Sequence, residues 1–361
     1  MSDSAAAQQM ATGQGMALSE LKRKWAIYTP GELKQRCKEL DCGASLIGGL
    51  IPRRSLSIVV GDSGLGKSPL LYQAAICVTA GIPFLGRPVT QGRVLYVDFE
   101  NGLGDVDDLV GRLSRHLELA DKPDDLLLWN FNDAPPSWEP TQLTCMIREA
   151  KPVWVVIDSL GAFTPDIEEK ASIVTRVYQE FRKSIRECGA SITGVHHLRK
   201  PSSKPDEAPP PLEDDPHRWF LQARGSRALI NGCDVRLGVD RSGKAKQFES
   251  LDGRSREVAL VIGGFGRVRA NIVTTFLTRV LDEDDEPLGY DKLAGVSLLF
   301  NPDQEAVYRD LPEQFRFKIA QKHYGKGAQA TTDFLKKCIG VGIMRKDGRE
   351  YGKVKVADQA E

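Results

Sequence analysis

Residues 61–68 read Gly61-Asp62-Ser63-Gly64-Leu65-Gly66-Lys67-Ser68, the G-x-x-x-x-G-K-S spacing of a phosphate-binding loop. Glycines so placed let successive backbone N–H groups turn onto an anion, and a helix starting at the lysine adds the positive end of its dipole. Lys67 would reach the β- and γ-phosphates of a nucleoside triphosphate, and the Ser68 hydroxyl would bind Mg²⁺. Asp158 closes the apolar run Val153-Trp154-Val155-Val156-Ile157, and a carboxylate there could hold the Mg²⁺ shell through water. Glu100 ends another apolar run and could orient and deprotonate an attacking water. Asp98, two residues earlier and on the same strand face, is its rival. His196 and His197 are adjacent, so in a strand only one of them enters the site, where its N–H could report whether the γ-phosphate is attached.

These residues need strands that end where they stand. Residues 56–60 are a β-branched run ending at Gly61, and Leu70, Leu71, Ala74, Ala75 and Val78 follow Lys67 at helical spacing until Gly81. Residues 93–100, 126–131, 153–157 and 191–195 read as further strands, and 106–119, 141–150 and 171–188 as helices. This alternation predicts an α/β fold with a mostly parallel sheet flanked by helices. Ligands of such sheets bind at the strands' carboxyl ends, where the candidate residues fall. Residues 235–239, 258–262 and 274–280 read as later strands, the last leading to an acidic turn at 282–286. The intervening segment 201–216 holds six prolines and several acids, which predicts a mobile loop.

At 361 residues the chain allows one large domain and an appendage. The expected division is a disordered tail at 1–17, a helical lead-in at 18–44, a core at 45–295 and a small domain at 300–361. In the last, residues 303–308, 313–323 and 330–339 read as helices and 342–351 as a hairpin, a winged helix-turn-helix pattern. Residues 314–357 carry 11 Lys or Arg against 3 Asp or Glu. Nucleic-acid contact and a merely solvated basic surface both fit that excess. Over the whole chain 49 basic residues balance 49 acidic ones, so no global charge draws it to nucleic acid. Seven scattered cysteines lack zinc-site spacing and read as reduced core thiols, with a cytoplasmic location expected. No apolar run is long enough to cross a bilayer. His116 and His217 read as ordinary surface or helix residues.

The motif series resembles one family. The phosphate loop, Val-Asp-Phe-Glu-Asn-Gly at 97–102, Val-Val-Ile-Asp-Ser-Leu at 155–160, Val-His-His-Leu-Arg-Lys at 195–200 and Arg-Gly-Ser-Arg-Ala-Leu at 224–229 look like the RepA-like branch of the RecA/DnaB ATPases. Plasmid and phage hexameric replicative helicases belong to it. The resemblance implies a RecA-like core over about residues 45–290, ATP and Mg²⁺ as cofactors, and a homo-oligomeric ring, expected to be a hexamer, with nucleotide between subunits. By position, Glu100 matches the catalytic glutamate, Asp158 the Walker B aspartate and His197 the γ-phosphate sensor. Arg224 opens a motif that lies near nucleotide or DNA-facing loops in relatives. Arg267 and Arg269 are candidates for the basic residue that reaches a neighbour's γ-phosphate, with surface arginines as the alternative. The acidic, proline-rich 201–216 segment departs from a DNA-tracking loop. Two functions stay open: a single-stranded-DNA-dependent helicase, or an ATP-switched initiator or regulator that holds duplex DNA without unwinding it. A small-molecule kinase is weaker, since no phosphate-acceptor pocket is legible.

Overall fold

Helix α1 (Pro30–Glu39) opens with a capping box between Thr29 and Glu32, and a short ribbon of β1 (Ser45–Ile47) and β2 (Ile51–Pro52) comes next. The computed structural model describes residues 22, 24–135, 137, 139–164, 166–199, 209–241, 248–249, 255–256, 258–267, 271–281, 287–292, 302–340 and 344–353. The tail at 1–17, the 282–286 turn and Arg269 lie outside the described residues.

The core then alternates: β3 (Leu56–Gly61), α2 (Lys67–Ala80), β4 (Val94–Asp98), α3 (Leu103–His116), β5 (Leu126–Asn130), α4 (Leu143–Ala150), β6 (Trp154–Asp158), α5 (Leu160–Phe163), α6 (Ala171–Cys188), β7 (Ser191–His197), α7 (Pro216–Trp219), α8 (Arg227–Asn231) and β8 (Val235–Asp240). Every residue of β3, β4 and β6 is buried. Strands covered on both faces can be apolar throughout, which is why they lack polar alternation. Successive side chains still part to opposite layers. Val59, Val94 and Tyr96 join α2 and α3 on one face, whereas Ile58, Val60, Leu95 and Val97 join α4 and α6 on the other.

After β8 come β9 (Phe248–Glu249) and β10 (Ser255–Arg256), paired with each other, then β11 (Val258–Gly266), β12 (Asn271–Leu281) and β13 (Pro287–Lys292). The main sheet has nine strands in the order β13-β12-β11-β8-β3-β7-β6-β4-β5. From β8 to β5 all pairs are parallel. β11, β12 and β13 extend it antiparallel; four residues separate β11 from β12 and five separate β12 from β13, too few for a parallel crossover. The fold is therefore α/β with a largely parallel sheet flanked by helices.

Within the expected mobile loop at 201–216, residues 201–208 lie outside the described residues, and the stretch from 209 to 216 packs onto the sheet. Leu212 is fully buried beside Gly238 and Gly263, and the Asp215 side chain caps α7 at the Arg218 N–H.

The C-terminal part contains α9 (Pro302–Asp310), β14 (Gln314–Arg316), α10 (Phe317–Tyr324), α11 (Ala328–Gly340), β15 (Met344–Asp347) and β16 (Glu350–Lys353), with its own apolar cluster. Its sheet order is β14-β16-β15. The expected helix at 313–323 is corrected here: Gln314–Arg316 is a strand, with Phe315 buried between exposed neighbours and paired to Tyr351. That period of two belongs to a strand, and helix begins only at Phe317.

Candidate active site

The phosphate loop leaves β3 and closes onto α2 through glycines with positive φ, Gly64 at +71° and Gly66 at +102°. Gly66 is the N-cap of α2, and a Cβ there would collide with the Tyr290 hydroxyl of β13. Tyr290 is itself anchored by Gln73 of α2, which accepts from its N–H at 2.8 Å and donates to its carbonyl at 2.7 Å. Lys67 is only 5% exposed, and its Nζ donates to the carbonyls of Gly61 (3.0 Å) and Asp62 (2.7 Å). Burial pushes its pKa down, against the pull of the Asp158, Glu100 and Asp62 charges.

The two rival carboxylates at the end of β4 have different surroundings. Asp98 is buried and spent on its own turn: Oδ1 accepts the N–H groups of Glu100 and Asn101, both at 2.9 Å, while Oδ2 accepts Tyr72 Oη at 2.7 Å and Asn101 Nδ2 at 2.8 Å. Glu100 is the half-buried one, facing the cavity. Asp98 therefore shapes the turn that presents Glu100.

His197 is likewise separated from His196 by the pleat. Its parallel partner is Gly61, which brings the ring to the phosphate loop. Nδ1 lies 3.2 Å from Ser63 Oγ and 3.5 Å from Lys67 Nζ, and Nε2 lies 3.2 Å from Glu100 Oε1. An ammonium can only donate, so Nδ1 accepts and Nε2–H donates to Glu100. The hydrogen bond from His197, with Ser159 and the Lys67 charge, outweighs burial and lowers the Glu100 pKa to about 2. His196 points away, fully buried, with Nε2 2.7 Å from the Arg224 carbonyl; burial lowers its pKa.

Asp158 is fully buried at the end of β6. Oδ2 accepts Tyr96 Oη at 2.8 Å, while Oδ1 has no hydrogen bond among the described residues. Burial pushes its pKa up to about 6, against the pull of the neighbouring Ser68 and Tyr96 hydroxyls. A buried carboxylate oxygen left over beside a serine hydroxyl is an all-oxygen donor set that suits a hard cation such as Mg²⁺. Among the described residues no group of three His, Cys, Asp or Glu could hold a metal by itself, so a bound nucleotide's oxygens would complete the shell.

Tyr72 and Tyr96 were not legible as site residues. Their rings stack at 3.8 Å with an interplanar angle of 12°, and each phenol holds one of the two strand-end aspartates. Tyr96→Phe is expected to raise the Mg²⁺ concentration for half-maximal ATP turnover about tenfold, the scale of one lost hydrogen bond to a charged group. A Mg²⁺ titration of turnover checks this, with circular dichroism to confirm the fold.

A cavity of about 740 Å³ opens from this cluster, lined by Asp62, Ser63, Glu100, Ser159, Glu168 and Arg224 among others. The Arg224 N–H donates to the His197 carbonyl at 3.1 Å, and its guanidinium pairs with Glu168 at 2.7 Å. Glu168 sits in the loop between α5 and α6 and carries no sequence signal. Arg267 does not reach this cluster: it follows β11 at the amino ends of the parallel strands, opposite the start of β8, its N–H donating to the Asp234 carbonyl and its guanidinium to the Asn231 carbonyl. His116 lies 3.3 Å from Asp291, and His217 stacks on Phe265 at 3.9 Å.

Residues 33–203 match the family model described as an AAA domain, a stretch that holds Lys67, Glu100, Asp158 and both histidines. No curated protein matches the chain. Among solved structures the RadB recombinase is similar, at 15% identity and a TM-score of 0.44 over 67% of this chain and 92% of that one. Over residues 33–203 the chain is therefore similar to an AAA-type P-loop ATPase domain. Among the described residues no helix is long and apolar enough to cross a membrane.

Proposed function

We propose that this domain hydrolyses ATP as part of a homo-oligomeric ring, a hexamer, and that the ring is a single-stranded-DNA-dependent helicase of the phage or plasmid replicative type. The observation that carries the hydrolytic reading is the contiguous set Lys67, His197 and Glu100, beside the buried Asp158. The backbone N–H groups of residues 61–68 and the Lys67 ammonium hold the β- and γ-phosphates. Ser68 and Asp158 would hold Mg²⁺, which when bound supplies charge neutralisation on the phosphate oxygens.

Glu100, ionised, accepts a hydrogen bond from water and aims its oxygen at the γ-phosphorus. The new P–O bond forms as the bond to the bridging oxygen breaks, leaving ADP. With its pKa near 2 under the His197 hydrogen bond, Glu100 works by orientation, and the water's proton ends on the released phosphate. A loose transition state needs little base strength.

Support for the ring and for DNA comes from the motif series, whose relatives reach a neighbouring subunit's γ-phosphate with a basic side chain. Arg267, remote from its own site, and Arg269 are the candidates for that role, and Arg224 for a nucleotide- or DNA-facing one. Single-stranded DNA is expected to stimulate turnover severalfold, and ATP to shift the mass to a ring. An unstimulated monomer in ATP overturns both parts. A second reading, an ATP-switched initiator or regulator that does not unwind DNA, is favoured by the compact C-terminal module; duplex binding without strand displacement would select it.

A further inference from the structure

The C-terminal module has the geometry of a DNA reader, and its reading surface can be named. α10 ends on Gly325, whose left-handed φ of +64° lets its N–H cap the Gln321 carbonyl. Only Gly325, Lys326 and Gly327 separate α10 from α11. A tight glycine turn between two packed helices is the helix-turn-helix joint.

α11 has two faces. Phe334, Leu335 and Cys338 pack with Tyr308, Leu311, Phe315, Ala320 and Met344. The other face shows Gln329, Asp333 and Lys336 to solvent, at spacings of four and three residues that stack them along one side. The Gln329 amide donates to Asp333 at 3.1 Å, which fixes both side chains relative to each other. Amide, carboxylate and ammonium are the groups that match adenine, cytosine and guanine edges in a major groove.

The β15–β16 hairpin, whose Met344 packs with Phe334 and Leu335 of α11, turns at Gly348, φ +54°, and exposes Arg345, Lys346 and Arg349. Lys336, Arg345 and Arg349 form no ion pair among the described residues. Their charges are open to phosphates, within a stretch where 11 basic residues meet 3 acidic ones.

We propose that residues 302–353 form a winged helix-turn-helix that binds duplex DNA, with α11 in the major groove, Gln329, Asp333 and Lys336 toward base edges, and Arg345 and Arg349 of the hairpin on the phosphates. The inference rests on the second reading above only for the partner, and not on ATP turnover.

The test uses the full chain and fluorescence anisotropy on duplexes of about 20 base pairs, two helical turns, selected from a random pool and compared with scrambled ones. Arg345→Ala with Arg349→Ala is expected to weaken binding to every duplex and to lower the slope of log affinity against log salt by about two. Gln329→Ala with Lys336→Ala is expected to cut the preference for the selected duplex about tenfold or more. Basal ATP turnover and the melting temperature should stay at wild-type values in both. Duplex binding that neither pair alters would place DNA elsewhere and overturn the surface while leaving a DNA-holding protein. No duplex binding by the wild type, or preference for single strands or duplex RNA, would overturn the inference and the second reading together. Wild-type discrimination by the Gln329, Lys336 variant would overturn α11 as the reader.

Discussion

Replacing Lys67 by alanine is expected to lower ATP turnover about 10³-fold, the scale seen when a group stabilising transition-state charge is removed. Among the described residues the buried ammonium is the one side-chain cation that contacts the loop's own carbonyls, at Gly61 and Asp62, and it also touches His197. Its loss removes the charge on the phosphates and takes the donor from the Asp62 carbonyl, while the Gly61 carbonyl keeps the Leu198 N–H. Stability should fall as well, by about 1–3 kcal/mol if one carbonyl is left without a partner. Turnover and thermal melting, measured on the same preparation, separate the two effects. Intact turnover by a folded Lys67→Ala protein would end the hydrolytic reading.

Glu100→Gln should cost about 10²-fold or more in kcat with ATP binding retained, in keeping with the 10²–10⁴-fold worth of a positioned acid–base group. The amide oxygen can still accept from His197 Nε2–H, so the local geometry survives while the negative charge facing the water is lost. Asp98 cannot take over, because both of its oxygens are committed to Tyr72, Glu100 N–H and Asn101. Single-turnover kinetics with a binding measurement check this, and a variant that binds and turns over normally would remove Glu100 from the site. The pH profile adds a signature. With the Glu100 pKa depressed to about 2, its carboxylate stays ionised under mildly acidic conditions, and its stabilising contribution is present above the unfolded value and fades only as pH falls toward 2. Turnover lost near pH 6 would therefore not come from protonation of Glu100.

The parallel part of the sheet was readable because β3, β4 and β6 are uninterrupted apolar runs that end at chemistry-bearing residues. Strand alternation also foretold that only one of His196 and His197 could enter the site, and the register opposite Gly61 decides which. Other features depend on contacts between distant segments. Tyr290 reaches Gly66 from the far end of the core and Glu168 meets Arg224 across a loop, and no local pattern announces either. Tyr72 and Tyr96 looked like ordinary core aromatics, since spacing does not show where a phenolic oxygen will find its acceptor. The strand at Gln314–Arg316 was hidden because three residues are too few to establish a period, and its partner Glu350–Lys353 lies far downstream.

The stacked tyrosines also determine where this site can yield. Tyr72 belongs to the same helix as Lys67 and Ser68, and Tyr96 to the same strand as Asp98, and their phenols tie that helix and strand to Asp98 and Asp158. Phosphate loop, turn and Asp158 thus form one stiff jaw. Closure around the proposed nucleotide is therefore expected from the other cavity wall, at Ala162, Glu168 and Arg224.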